Sequence, residues 1–192
     1  MCGAGKSTFG AALARAMHLP FIDGDDLHPA VNVAKMSRGE PLEDADRLPW
    51  LDMIRGTAVA SVLGQMGERP GVDSEAVGGY EARGAGVVVA CSSLKKTYRA
   101  VLRGESVLSR PGCATSLPTY FVYLKGDEEV LMARMRDRQG HFMKAEMLES
   151  QLRTLESPDD EPGVVSVSVE MSTEGQVQRV VEMLGSLGSS SS

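Results

Sequence analysis

Gly3-Ala4-Gly5-Lys6-Ser7-Thr8 decides how this chain reads. In the spacing G-x-x-x-x-G-K-[ST], glycines let successive backbone N–H groups turn toward phosphate oxygens. The lysine reaches the terminal phosphates and the serine hydroxyl is placed to ligate Mg2+. Gly5, Lys6 and Ser7 supply the second half of that pattern, and counting back from Gly5 sets its first glycine one residue before Met1. Phe9, Leu13 and Met17 recur at spacing four, so the hexapeptide opens a helix over 6–17, the loop-to-helix context that such a site requires. Gly3, Ala4, Gly5, Lys6, Ser7 and Thr8 are therefore the residues assigned to the phosphates of a nucleoside triphosphate. The strand that would feed the loop is expected to precede it, which leaves four parallel strands with a gap where a central fifth would lie.

Outward from the loop, helix and strand alternate, the pattern of an α/β fold with a parallel sheet between two helical layers. Strands are predicted over 20–23, 87–91, 120–124 and 165–169. Val87-Val88-Val89-Ala90-Cys91 is apolar throughout, as a strand buried on both faces should be. Helices are predicted over 30–36, 49–66, 94–102, 127–138 and 145–155, and Val177, Val180, Val181 and Leu184 mark a closing one. Residues 67–86 and 104–118, rich in Gly, Pro and polar residues, read as surface insertions. Residues 188–192 read as a tail, leaving 1–187 as a single domain.

Composition narrows the partners. At 192 residues and 42% hydrophobic content the chain can bury one sizeable core. Its net charge of -6, with no basic stripe, points away from nucleic acid and toward a small substrate. Cys2, Cys91 and Cys113 show no C-x-x-C spacing, so neither a disulfide framework nor a zinc site is indicated. No apolar run approaches about 18 residues, and a cytoplasmic protein without a membrane partner is expected.

A phosphate loop followed by alternating strands and helices describes a three-layer P-loop kinase fold, whose phosphoryl acceptor must be read from the acids and bases downstream. Phe21-Ile22-Asp23-Gly24-Asp25-Asp26-Leu27-His28-Pro29 ends a strand in three acids, at the sheet edge where open α/β folds bind ligands. Asp23, with Ser7, can hold Mg2+, and Asp25 can accept a proton from an attacking hydroxyl or align it. A solvated acidic loop capping the next helix is the plain alternative.

Asp23-Gly24-Asp25-Asp26-Leu27-His28-Pro29, then Asn32 and Lys35-Met36, Gly39-Glu40-Pro41-Leu42, Asp46-Arg47-Leu48-Pro49-Trp50-Leu51, Cys91-Ser92-Ser93-Leu94-Lys95-Lys96-Thr97-Tyr98-Arg99 and Gly140-His141-Phe142-Met143 resemble, in order, the signature blocks of gluconokinases. The resemblance spans nearly the whole chain apart from the two insertions and the tail. It implies ATP-dependent phosphorylation of D-gluconate at its 6-hydroxyl, in a cytosolic homodimer. A catalytically weak P-loop nucleotide-binding protein, or a kinase for a related sugar acid, is the alternative reading.

Gluconate carries one carboxylate and a row of hydroxyls, so its pocket needs a fixed cation and several hydrogen-bonding groups. Arg47 is the leading cation, with Lys95 or Arg99 as helpers, while His28 and Asp25 suit hydroxyls. An ion pair of Arg47 with Asp44 or Asp46 is the competing reading. Trp50 is expected to pack at its helix start rather than on substrate. By resemblance to related kinases, residues 134–146 form a helical lid. Arg134 and Arg138, one helical turn apart, would close over the triphosphate, and Arg138 joins Lys6 and Asp25 as a catalytic candidate. His141-Phe142 is assigned to anchoring that lid.

Overall fold

A computed structural model describes residues 3–67, 84–105, 117–137 and 145–189. Helix α1 (Lys6–Met17) leaves the phosphate loop and stops at His18, whose left-handed backbone lets its N–H return to the carbonyl of Arg15. Strand β1 (Phe21–Asp23) follows, then a 3-10 turn (Gly24–Leu27) and helix α2 (Ala30–Ser37). Helix α3 (Asp44–Gly67) starts five residues earlier than the expected 49–66 and carries Pro49 in its second turn. Asp44 and Asp46 in the first turn favour that earlier start, because carboxylates complement the positive end of a helix.

The second half comprises β2 (Val88–Ala90), α4 (Lys96–Arg103), β3 (Phe121–Lys125), α5 (Glu128–Asp137), α6 (Ala145–Thr154), β4 (Val164–Ser168) and α7 (Thr173–Ser189). Each strand lies within a residue or two of its expected place. Helix α7 continues through Ser189, so it takes up the first residues of the segment read as a tail.

The described strands form two parallel pairs. Phe21, Ile22 and Asp23 of β1 sit opposite Val88, Val89 and Ala90 of β2. Phe121 through Lys125 of β3 sit opposite Val164 through Ser168 of β4. One five-stranded sheet is not present among the described residues, since no described strand joins β2 to β3. A cavity of about 560 Å3, lined by Val88 and Val89 of β2, Phe121 and Val122 of β3, and Phe9 and Leu13 of α1, lies between β2 and β3.

Helix α1 packs on β1, β2 and α7, and α7 packs on β4, which ties the two pairs together from one side. Helix α3 packs on α4 and on the 3-10 turn. The core runs through both halves: Leu51, Leu131, Leu148, Val169 and Val180 are fully buried. Fully burying a side chain of this size contributes about 1.5–3 kcal/mol. The strand ends that carry the acids are thereby held against helices rather than left to solvent.

Candidate functional site

The phosphate loop is shaped by two left-handed glycines, Gly3 at φ 74° and Gly5 at φ 77°. A side chain at Gly3 would place its Cβ 2.9 Å from the carbonyl oxygen of Leu131 and 3.0 Å from Cγ of Met135, so the loop lies directly against α5. Gly5 caps α1 without a side-chain hydrogen bond, and no acidic residue occupies the first turn. The opening N–H groups of a twelve-residue helix and its dipole thus face an uncapped end, which suits an anion. That geometry fits the phosphates of a nucleotide. Arg134 lies on α5 between the two residues that touch Gly3, and one of its guanidinium nitrogens donates to the backbone carbonyl of Val169.

The acidic segment is built on the end of β1. Asp23 pairs with Ala90 in the sheet, and its Oδ1 accepts the backbone N–H of Asp25 at 3.1 Å, which caps the 3-10 turn. Gly24 has no room for a side chain: a Cβ would stand 2.7 Å from the carbonyl oxygen of Ala90 and 3.0 Å from Cδ1 of Ile54. Asp25 and Asp26 face solvent beyond that packed glycine.

At the far end of the turn the His28 ring stacks on Trp50, with centroids 4.2 Å apart and planes 11° from parallel. The indole N–H of Trp50 donates to the carbonyl of Gly24 at 2.7 Å. Trp50 is 1% exposed, so it packs in the core as expected. Burial lowers the pKa of His28, Asp25 opposes that shift, and Arg47 adds to it. Asn32, also buried, donates to the carbonyl of Asp46 at 2.8 Å and sets its amide 3.5 Å from Nδ1 of His28.

The three cations expected to read a carboxylate have different fates. Arg47 is 9% exposed, its Nε donates to the carbonyl of Leu42 at 3.3 Å, and its guanidinium stands 6.0 Å from the centre of the Tyr98 ring. Among the described residues it makes no ion pair with Asp44 or Asp46. Asp46 takes Lys35 at 2.8 Å, and Asp44 takes Lys95 at 2.7 Å and the Tyr98 hydroxyl. Lys95 bridges both oxygens of Asp44 and so ties α4 to the start of α3, with Asp44 held below the usual carboxylate range by Lys95 and then Tyr98.

Arg99 is the correction. Its side chain is 1% exposed and all its donors are engaged: Glu161 by Nε and Nη2, the carbonyls of Ser93 and Leu94 by Nη1, and that of Glu156 by Nη2. A guanidinium has five N–H donors, so none is left for a substrate.

Ser7 and Asp23 stand at the two chain segments expected to meet a metal, yet among the described residues no cluster of three His, Cys, Asp or Glu side chains could cage one. Such a donor set fits Mg2+, which keeps several waters and binds through one or two protein oxygens together with phosphates. Arg138 and the segment Gly140-His141-Phe142-Met143 lie outside the described residues, and with them most of the expected lid. Sequence reasoning passed over the Trp50 support of His28, the Asp44 tether of Lys95 and the Asn32 link between α2 and α3. Gly24, His28, Trp50 and Lys95 lie inside quoted blocks and Asp44 lies between two of them, but nothing in the sequence joins one block to another.

The family pattern described as shikimate kinase matches residues 2–52. The thermoresistant gluconokinase of Escherichia coli (strain K12) is 38% identical over 184 residues, covering 95% of this chain and 88% of the relative. The probable gluconokinase of Schizosaccharomyces pombe is 37% identical over 183 residues, covering 95% of this chain and 83% of the relative. The crystal structure of a gluconokinase from Sinorhizobium meliloti 1021 superposes with a TM-score of 0.74 at 36% identity, covering 100% of this chain and 94% of that one. No helix among the described residues is long and apolar enough to cross a membrane.

Proposed function

The chain belongs to the gluconokinase family, and from that premise we propose that it phosphorylates D-gluconate at the 6-hydroxyl, with ATP as donor and Mg2+ as its ion. The observation that carries the reading is the uncapped, glycine-shaped start of α1, combined with the acid-bearing end of β1 and the buried guanidinium of Arg47, which makes no ion pair among the described residues.

ATP supplies the phosphoryl group when bound, and Mg2+ screens the charge of its phosphates. The backbone N–H groups from Gly3 through Thr8 hold phosphate oxygens, Lys6 reaches the terminal phosphates, and Ser7 and Asp23 present oxygens to the ion. Arg47 grips the carboxylate of gluconate with the forked guanidinium edge that its Leu42 contact leaves over. His28, kept neutral near pH 7 by burial, exchanges hydrogen bonds with hydroxyls of the chain. Asp25 aligns the attacking hydroxyl and takes its proton. Lys95 stays with Asp44 and contributes positive potential near the carboxylate. Arg134 and Arg138 add positive charge on the phosphate side, where water must be excluded. A cytosolic homodimer is the assembly we propose, on the resemblance of the sequence blocks.

Release of ADP on adding D-gluconate, ATP and Mg2+ to the purified protein tests the reading. Turnover of gluconate well above that of shikimate is the expected result. Equal or better turnover of shikimate refutes it.

A further inference from the structure

His28 and Asp25 sit on one short segment, and a single side chain holds both of its ends. The Trp50 indole face stacks on the His28 ring at 4.2 Å, while its N–H reaches back to the Gly24 carbonyl at 2.7 Å. Gly24 is itself wedged against Ala90 and Ile54, so the segment cannot yield toward the sheet. Trp50, 1% exposed and rooted in α3, is the rigid body from which that turn hangs. Arg47 stands three residues before it on the same helix, so the cation expected to meet the carboxylate and the groups expected to meet the hydroxyls share one support.

We propose that Trp50 is a positioning residue for the sugar-acid pocket, setting His28 and the Asp25 turn at a fixed distance from Arg47 without touching substrate. The inference rests on the assignment of His28 to substrate hydroxyls. It adds that the spacing of the pocket, and with it the preference for a linear chain of hydroxyls ending in a carboxylate, is read through the indole. Stacking fixes the tilt of the imidazole, and the N–H bond fixes its distance from the turn. Misplacing a binding group by about 1 Å costs as much as a hundredfold in rate.

Trp50 is the only tryptophan in the chain, so its fluorescence and its indole N–H resonance report this contact alone. In the wild-type protein, saturating D-gluconate should shift the indole N–H and the His28 ring resonances with a common midpoint, and an indole signal unmoved at saturation overturns the proposal. Trp50→Phe keeps a stacking face, whereas Trp50→Leu keeps none. Both variants lose the N–H bond to Gly24, so the Leu variant, which also loses the stacking face, should raise KM for gluconate about tenfold or more, the Phe variant should fall between it and wild type, and the KM for ATP should be unchanged in both. In the Leu variant the His28 pKa should also climb toward its ordinary 6.5 as burial is relieved, with Asp25 and Arg47 still facing the ring from the turn and from α3, and Asn32 from α2. Phe and Leu variants that melt cooperatively and keep the wild-type gluconate KM overturn the inference. His28→Ala is measured beside them: an impaired His28→Ala with a normal Trp50→Leu removes only the positioning role, whereas a normal His28→Ala removes the substrate role of His28 and the inference with it.

Discussion

Replacing Arg99 with alanine should destabilise the fold and spare substrate recognition. The wild-type guanidinium is 1% exposed, its ion-pair partner Glu161 is 12% exposed, and three backbone carbonyls depend on it as well. Removing one partner of such a pair strands the other, leaving Glu161, among the described residues, with the longer 3.3 Å contact to Arg103. Breaking a buried pair from one side costs about 3–5 kcal/mol. At about 2–4 °C per kcal/mol for a chain of this size, the melting temperature should fall by roughly 6–20 °C. The acid limb should move too. Arg99 holds the Glu161 pKa below its ordinary value, so that stabilisation is complete above the unfolded pKa and disappears as pH falls through the folded one. Without Arg99 its contribution is gone at neutral pH as well. Calorimetric melts between pH 4 and 8, with gluconate KM measured below the melting range, make the assay. An unchanged melting temperature with a tenfold rise in gluconate KM would refute the reasoning and return Arg99 to the pocket.

Asp25→Asn should lower kcat by about a hundredfold or more while ATP affinity holds, and Lys6→Ala should damage both, because only the lysine is assigned to the phosphates. Steady-state kinetics with nucleotide titration distinguishes them, and near-normal kcat for Asp25→Asn would move suspicion to Asp23 or Asp26. Asp159, held at a pKa of about 2 against an ordinary 3.8 by Lys125 and then Ser166, contributes stability that is complete above pH 3.8 and lost as pH falls toward 2. Asp159→Asn should therefore flatten the acid unfolding curve in that window, and an unaltered curve would show that the contact contributes nothing there.

How far the sequence could be read follows from the range of the interactions. The phosphate loop and the acids from Asp23 to Asp26 were legible because their geometry is local: a glycine spacing in one case, a strand end in the other. Arg99 misled because its position after a buried strand suits a ligand group as well as it suits a structural one. Its partner Glu161 stands 62 residues away, where no sequence pattern points. The same distance problem hid the 51-residue span from Asp44 to Lys95 and the 26-residue span from Gly24 to Trp50. The helix expected over 49–66 begins at Asp44 instead, where the charges of Asp44 and Asp46 favour an earlier start.

In the proposed reaction Arg47 reads the carboxylate of an acidic polyol presented to a phosphate loop. The most direct test of that role is ADP release by wild type and Arg47→Met with D-gluconate and with D-glucitol, the alcohol that lacks only the carboxylate. Wild type should strongly prefer gluconate, and Arg47→Met should erode that preference by about ten- to a hundredfold, the value of a charge-assisted hydrogen bond. A preference that survives Arg47→Met intact in a folded protein would contradict that role.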